Sequence, residues 1–393
     1  MELEIILGVF LSLLFNFVNG LNNAGNSIAT VVATRALPPF KALILASICT
    51  MAGPFLLTTA IAKTIGTSII SPGTLTPVMI LVALISAILL VTTMTEFGFP
   101  ISATHALIGC LIGAAIADSG PLVVIWPTQS MISDFLRAGI IGMFFGSLYL
   151  AFITWILDGP VKIGIIAGAI GGFSLMIPGL MIIGVLQISG LLAILVFIVV
   201  SPTIGFIAAF AFDIIITWLF RRSKQRRMRR IFRPLQICAG GVQAIGNGAN
   251  DGLHAVGVIG ALFMAAEMTS SFTIPFWVMA ASALSIGLGT FFGGWKVITR
   301  MARNITRLRA YQGFCASSAG GCTVSLLTLA GIPTSSTHII GGAIVGVGAT
   351  RGKNAVKWGV VREIVIAWII TIPVSCVTAY IVYKFTSAGL SIL

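Results

Sequence analysis

Two short polar patterns each occur twice in this chain, in the same order. Gly20-Leu21-Asn22-Asn23, near the start, is echoed far along the chain by Gly248-Ala249-Asn250-Asp251. Pro100-Ile101-Ser102-Ala103-Thr104-His105 is echoed at a similar offset by Pro333-Thr334-Ser335-Ser336-Thr337-His338. Amide and carboxylate oxygens are the ligands that hard cations prefer. Proline followed by hydroxyl residues marks a helix start. A helix start inside a membrane turns its positive end, and the hydroxyls beside it, toward an anion. Duplicated polar patterns in an otherwise apolar chain point to one site built from two related halves.

Asp251 is the sharpest single residue. An ionised carboxylate near the bilayer centre costs at least ~2.5–3.5 kcal/mol on insertion scales. Such a group needs a cation, a proton or a fixed base beside it. It reads either as a ligand for a coupling cation or proton, or as a structural carboxylate held by neighbouring amides. Its counterpart, Asn23, is neutral, so the site is electrostatically lopsided. Asn26 is likewise paired with His254. The Gly-Asn clusters also disfavour regular helix, and buried amides in lipid need partners. A helix broken or kinked near the midplane, lining a polar cavity, meets both demands.

The surrounding elements follow from composition. The chain has 393 residues, of which 58% are hydrophobic and 8% charged, with mean hydropathy +1.09. Soluble domains carry about 25% charged residues, so a soluble fold is excluded. A membrane barrel would show alternating polarity in segments of about ten residues, and the long continuous apolar runs exclude that too. Apolar segments fall near 5–34, 41–62, 77–95, 98–117, 138–157, 161–186 and 189–220, then 234–263, 273–294, 311–331, 333–350 and 360–385. The expected fold class is an all-α polytopic membrane protein with about twelve embedded segments, some of them re-entrant hairpins. The start, Met1-Glu2-Leu3-Glu4, has no positive region typical of a signal peptide. Six scattered cysteines read as small buried hydrophobes.

The net charge of +13 is concentrated in Arg221–Arg233. Between membrane segments this run reads as a cytoplasmic loop under the positive-inside rule that attracts anionic lipid headgroups, and not as a nucleic-acid surface. The expected organisation is residues 1–220 (a first repeat with additional membrane segments), the basic loop 221–233, and a second repeat over 234–393. Counting segments outward from the loop places Arg35, Lys41, Lys296, Arg300, Arg303, Arg307, Arg309, Arg351, Lys353 and Lys357 inside the cell and both termini outside. The two copies of each motif then run in opposite directions, an inverted-topology repeat. A miscount within 159–190 would make the repeat parallel. Catalysis is not expected, because a nucleophile needs one activated residue and these Ser/His patterns are duplicated at helix starts.

These motifs resemble the inorganic phosphate transporter family, whose sodium- or proton-coupled phosphate permeases have sulfate-permease relatives. The duplicated Gly-x-Asn-Asp pattern matches fully at Gly248–Asp251, and at Gly20–Asn23 except for the acid. The Pro-x-Ser-x-Thr-His pattern and the late stretch Gly346-Val347-Gly348, Arg351-Gly352, Trp358-Gly359 and Ala367–Thr371 are also similar. The resemblance implies paired hairpins enclosing phosphate and cation sites at the Asn motifs, with no cofactor beyond a coupling Na⁺ or H⁺. It assigns cation contacts to Asn22, Asn23, Asn26, Asn250 and Asp251. It assigns substrate contacts to Ser102, Thr104, His105, Ser335, Ser336, Thr337, His338, Asn22 and Asn250. Asn23 stands where an acid is expected, and Ala103 stands opposite Ser336. The implied function is cation-coupled phosphate transport by alternating access in the cell membrane, among membrane lipids. A homodimer, a sulfate or related oxyanion permease, and an anion channel remain open alternatives.

Overall fold

The computed structural model describes residues 2–71, 73–156, 158–188, 190–269, 271–332 and 334–390. Pro333 of the second Ser/Thr-His pattern, and the last three residues of the expected second repeat, lie outside them. Among the described residues the fold is all α-helical, with two isolated antiparallel bridges, Ile70 to Val124 and Thr306 to Val356. Helices satisfy their own backbone groups, which lipid cannot do. The first half holds α1 (Glu2–Ala33), α2 (Pro39–Leu56), α3 (Ala60–Thr67), α4 (Pro77–Glu96), α5 (Ala103–Ser119), α6 (Gln129–Ile156), α7 (Val161–Ile182) and α8 (Gly190–Leu219). The second holds α9 (Gln225–Ala265), α10 (Phe276–Phe292), α11 (Trp295–Thr299), α12 (Ala310–Leu329), α13 (Ser336–Ala349) and α14 (Trp358–Leu390).

Helices α1, α2, α4, α6, α7, α8 and α14 are long and apolar enough to cross a membrane, and α10 with α11, bent by 63°, makes an eighth span. The chain is thus a multi-pass membrane protein. By length and apolarity the count is seven or eight, against the expected twelve or so. Helices α9 and α12 are long, but polar residues interrupt their apolar and small buried positions, among them Gln236, Gln243, Asn250 and Asp251 in α9 and Gln312 and Ser317 in α12. Helices α5 and α13 have only 17 and 14 residues.

Several boundaries differ from the sequence reading; α6, for one, starts at Gln129 and not near 138. Helix α9 starts at Gln225, so most of the basic run is helical, as strong helix formers such as Arg, Gln and Met favour. Segment 41–62 is split between α2 and α3. Cys110 and Cys315 are buried as expected, whereas Cys238 and Cys322 are exposed.

The helices cross-pair between halves. Gly20 of α1 lies against Ile286, Gly289 and Thr290 of α10, while Gly248 of α9 lies against Thr50 of α2. Gly109 and Gly113 of α5 lie against Ile372 and Cys376 of α14, while Gly342 and Gly346 of α13 lie against Pro202 and Phe206 of α8. A Cβ at any of these glycines would collide with facing backbone, so their small size sets the helix approach. The register is constant: the step along the chain from Pro202 to Ile372 equals the step from Phe206 to Cys376. Helix α8 therefore takes, in one half, the place α14 takes in the other. Helices α6 and α7 pack on each other through Gly142, Gly146, Gly168 and Gly172.

Candidate functional site

Helices α4 and α5 form one hairpin, and α12 and α13 form the other. Their tips carry the Ser/Thr-His patterns and meet the Asn motifs at the middle of α1 and α9. Each tip is capped as its sequence predicts. Ser102 Oγ accepts from His105 N at 3.3 Å, and Ser335 Oγ accepts from His338 N at 3.4 Å. Thr104, Ser336 and Thr337 are buried at these helix starts, and free N–H groups with hydroxyls beside them are the chemistry of an anion site. The broken pairs α2/α3 and α10/α11 lie alongside, and Gly294 N donates to Leu21 O at 2.8 Å.

The two halves interlock along an approximate two-fold relation. Asn22 Nδ2 donates to Ile101 O at 2.8 Å, and its counterpart Asn250 Nδ2 donates to Thr334 O at 3.0 Å. Across the halves, Asn26 Nδ2 donates to Thr337 Oγ1 at 2.8 Å, and His254 Nε2 lies 3.2 Å from Thr104 Oγ1. Asn19 Nδ2 lies 3.3 Å from His254 Nδ1. With that nitrogen accepting, the proton sits on Nε2 and points at Thr104.

Asp251, only 2% exposed, lies on the pseudo-axis opposite Asn23. Its Oδ2 accepts from Asn23 Nδ2 at 2.9 Å and from Ser336 Oγ at 2.7 Å, and its Oδ1 accepts from Asn250 Nδ2 at 2.8 Å. All three donors are neutral, so the carboxylate is hydrogen-bonded but its charge is not cancelled by any of them. Asn23 Nδ2 also donates to Asn19 Oδ1 at 2.6 Å. Asn23 Oδ1 accepts from Asn26 Nδ2 at 2.8 Å and Thr337 Oγ1 at 3.2 Å.

The structure therefore gathers Asn22, Asn23, Asn26, Asn250, Asp251, Thr104, Ser336 and Thr337 into one buried network, with Ser102 and Ser335 as caps at its edge. The imidazoles of His105 and His338 sit behind the tips. Their ring centroids are 4.9 Å apart, and His338 stacks on Trp368 at 4.2 Å. Trp368 Nε1 in turn donates to Pro100 O at 3.0 Å, fixing α14 to the first tip.

Outside the site, the exposed Glu96 pairs with Lys296 at 3.0 Å. Asp213 accepts from Thr350 Oγ1 at 2.6 Å.

Several participants escape the motif reading. Asn19 lies just before the Gly-x-Asn pattern, where the repeat places Asn247 in the second half. Thr95 Oγ1 donates to Asn22 Oδ1 at 3.1 Å, and the register that aligns Pro100 with Pro333 aligns Thr95 with Thr328. That register was the available signal. Gln243 Nε2 donates to Asn26 O from two turns before the second motif, and nothing in its surroundings flags it.

Residues 19–165 and 125–379 match the phosphate transporter family. A probable low-affinity inorganic phosphate transporter of Rhizobium meliloti is 35% identical over 376 residues, covering 95% of this chain and 94% of that one. A protein of the same description from Bacillus subtilis is 31% identical, covering 96% of each. A solved structure described as the sodium-dependent phosphate transporter shares the fold with TM-score 0.70 at 24% identity, covering 99% of this chain and 100% of that one. The chain belongs to the phosphate transporter family.

Proposed function

We propose that this protein is a secondary transporter that carries inorganic phosphate across the cell membrane together with a cation. The observation that carries the reading is the meeting of two hydroxyl-bearing helix starts, one from each half, around the carboxylate of Asp251. The helix starts and the hydroxyls of Ser336, Thr337 and Thr104 offer donors to an oxyanion, with Ser102 and Ser335 capping. Among the expected cation contacts, Asn250 and Asp251 offer oxygens to Na⁺, or in the case of Asp251 to a proton, and Asn22, Asn23 and Asn26 build the amide network beside them. His105 and His338 hold the tips in place.

Moving an anion into a negative interior costs about 2.3 kcal/mol per charge per 100 mV, and a co-transported cation offsets that cost. The hydrogen bonds supply a coupling route. Without a cation, Ser336 Oγ is committed to Asp251. A cation on Asp251 competes for the same oxygen and releases the hydroxyl toward phosphate. Each ligand then improves the site for the other, which is the reciprocal linkage that coupling requires.

Alternating access follows from inverted repeats rocking around the site. Three features support the inversion. The bridge Ile70–Val124 ties the base of the first hairpin and Thr306–Val356 that of the second. The first tip reaches the other base's end, where Glu96 meets Lys296. The second tip reaches the first base's end, where Gly331 approaches Ala60. Thr34, Arg35, Arg221, Arg229 and Arg309 line one cavity, in keeping with a cytoplasmic face at that end and both termini outside. With α9 and α12 counted as spans, the two hairpins as embedded, and the short α3 and α11 counted with α2 and α10, the embedded segments number near twelve. The exposed apolar face of α6 and α7 leaves room for lipid or for a second copy in a homodimer.

Initial uptake of labelled phosphate into proteoliposomes, with and without a tenfold excess of sulfate, tests the substrate. Uptake that sulfate barely reduces is the expected result. Stronger competition by sulfate than by unlabelled phosphate would replace phosphate with sulfate as the substrate.

A further inference from the structure

The two halves of the site differ donor by donor across the pseudo-axis. In the first half, Asn22 Oδ1 accepts from Thr95, and Asn23 Oδ1 accepts from Asn26 and Thr337. Asn26 Oδ1 is the oxygen left over there. In the second half the equivalent positions are open. Asn250 Oδ1 and Thr328 Oγ1, counterparts of the bonded pair Asn22 and Thr95, are both buried without a partner, and so is Thr334 Oγ1. Asn250 and Thr328 are 0% exposed and Thr334 is 1% exposed. Thr334 and Asn250 already touch through the Asn250 Nδ2 bond to Thr334 O, and Asn250 also touches Asp251 Oδ1.

Buried oxygens without donors are costly. Asn250 sits against the Asp251 carboxylate and the Thr334 backbone, and the repeat register aligns Thr328 with Thr95, the partner of Asn22, so the three unpartnered oxygens and the carboxylate are of the type that suits a hard cation. The first half of the network has no carboxylate among the described residues, and few spare oxygens. Instead it presents an N–H of Asn23 to Asp251, a donor placed where a cation serving both halves would sit.

We infer that this chain holds its coupling cation at a single seat in the second half of the site, formed by Asp251, Asn250, Thr328 and Thr334, with the Asn23 amide filling the place of a second cation. The inference rests on the cation-coupled reading above and sets its stoichiometry. One monovalent cation moving with monovalent phosphate makes the transport step electroneutral.

The test is equilibrium binding of ²²Na⁺ to the purified full chain in detergent without phosphate. The wild type is expected to bind one Na⁺ with a Hill coefficient near 1. Asn23→Asp is expected to bind two. Thr328→Val should weaken Na⁺ binding about tenfold, the scale typical of losing one supporting group at a metal site, and Thr328→Ser should restore it. Thr95→Val, at the two-fold-related position, should change Na⁺ affinity less than threefold. Thermal melting of each variant separates lost binding from lost folding. Two Na⁺ per wild-type chain, no saturable Na⁺ binding, or equal losses in the two valine variants would overturn the inference. Because phosphate is absent, a chain that binds one Na⁺ yet fails to transport phosphate would sink the proposed function and leave the seat intact.

Discussion

The first and second halves of the site share a scaffold and differ in chemistry. Asn22 and Asn250 each clasp the opening backbone carbonyl of a hairpin tip, Ile101 O and Thr334 O. Ser102 and Ser335 each cap the helix that follows. Yet Asn23 corresponds to Asp251, Ala103 to Ser336 and Asn26 to His254, and Thr95 is bonded where Thr328 is not. The backbone geometry of the repeat persists because helix contacts through glycine fix it, and a larger residue there would push two helices apart. Side chains at the centre are free of that constraint. One half has become a donor-rich wall, and the other holds the charge.

Four substitutions probe this division. The largest effect is expected from Asp251→Asn, which removes the carboxylate at the centre of the network. Gradient-driven phosphate uptake should fall at least about a hundredfold, the scale of several lost charge-assisted contacts. The melting temperature should change by only a few degrees, since the amide still fills the space. Normal uptake with unchanged cation dependence would remove Asp251 from the mechanism.

Exchanging the pair, Asn23→Asp with Asp251→Asn, asks whether the halves are interchangeable. The charge then lies opposite Ala103 instead of Ser336, beside an Asn22 already bonded to Thr95. Uptake is expected to stay at least about tenfold below wild type, because two charge-linked contacts of roughly 1 kcal/mol each are not regained. Full activity would mean that the two halves are equivalent after all.

Ser336→Ala should raise the KM for phosphate about tenfold, and should make cation affinity less sensitive to phosphate, because the shared hydroxyl is gone. If KM rises but the mutual dependence survives, Ser336 is a substrate contact without a coupling role. The smallest effect is expected from Ala103→Ser, which gives the first half its missing hydroxyl. A two- to threefold lower phosphate KM is the expected result, from one partly formed hydrogen bond, read from initial uptake rates. A rise in KM would show that Ala103 is needed for its small size.

Much of this site was legible in the sequence because it is duplicated. The repeated Asn and Ser/Thr-His patterns stand out against an apolar background, and all five of the expected cation contacts fall in one network. A helix start at each tip followed from proline and hydroxyls before an apolar run, but the helices begin later than expected, with Ser102 and Ser335 as caps and Pro100 outside the first turn. Cross-pairing of the halves was not legible: Gly109 against Ile372 and Gly342 against Pro202 depend on long-range packing that no local pattern encodes. The imidazoles of His105 and His338 illustrate another limit. A histidine one turn into a helix can face the substrate or the neighbouring helix, and here Trp368 of a distant helix takes the space beside His338. Helix α9 escaped its full length because its basic start and polar middle mask a continuous helix in any hydropathy profile.

The central claim is that cation movement drives phosphate accumulation through this site. Its most direct test is labelled phosphate uptake into proteoliposomes holding the wild-type chain, under an inward Na⁺ gradient, an inward proton gradient, or neither. Accumulation above equilibrium with a cation gradient, and simple equilibration without one, is the predicted result. Accumulation that ignores both gradients, or flux at channel rates, would contradict it.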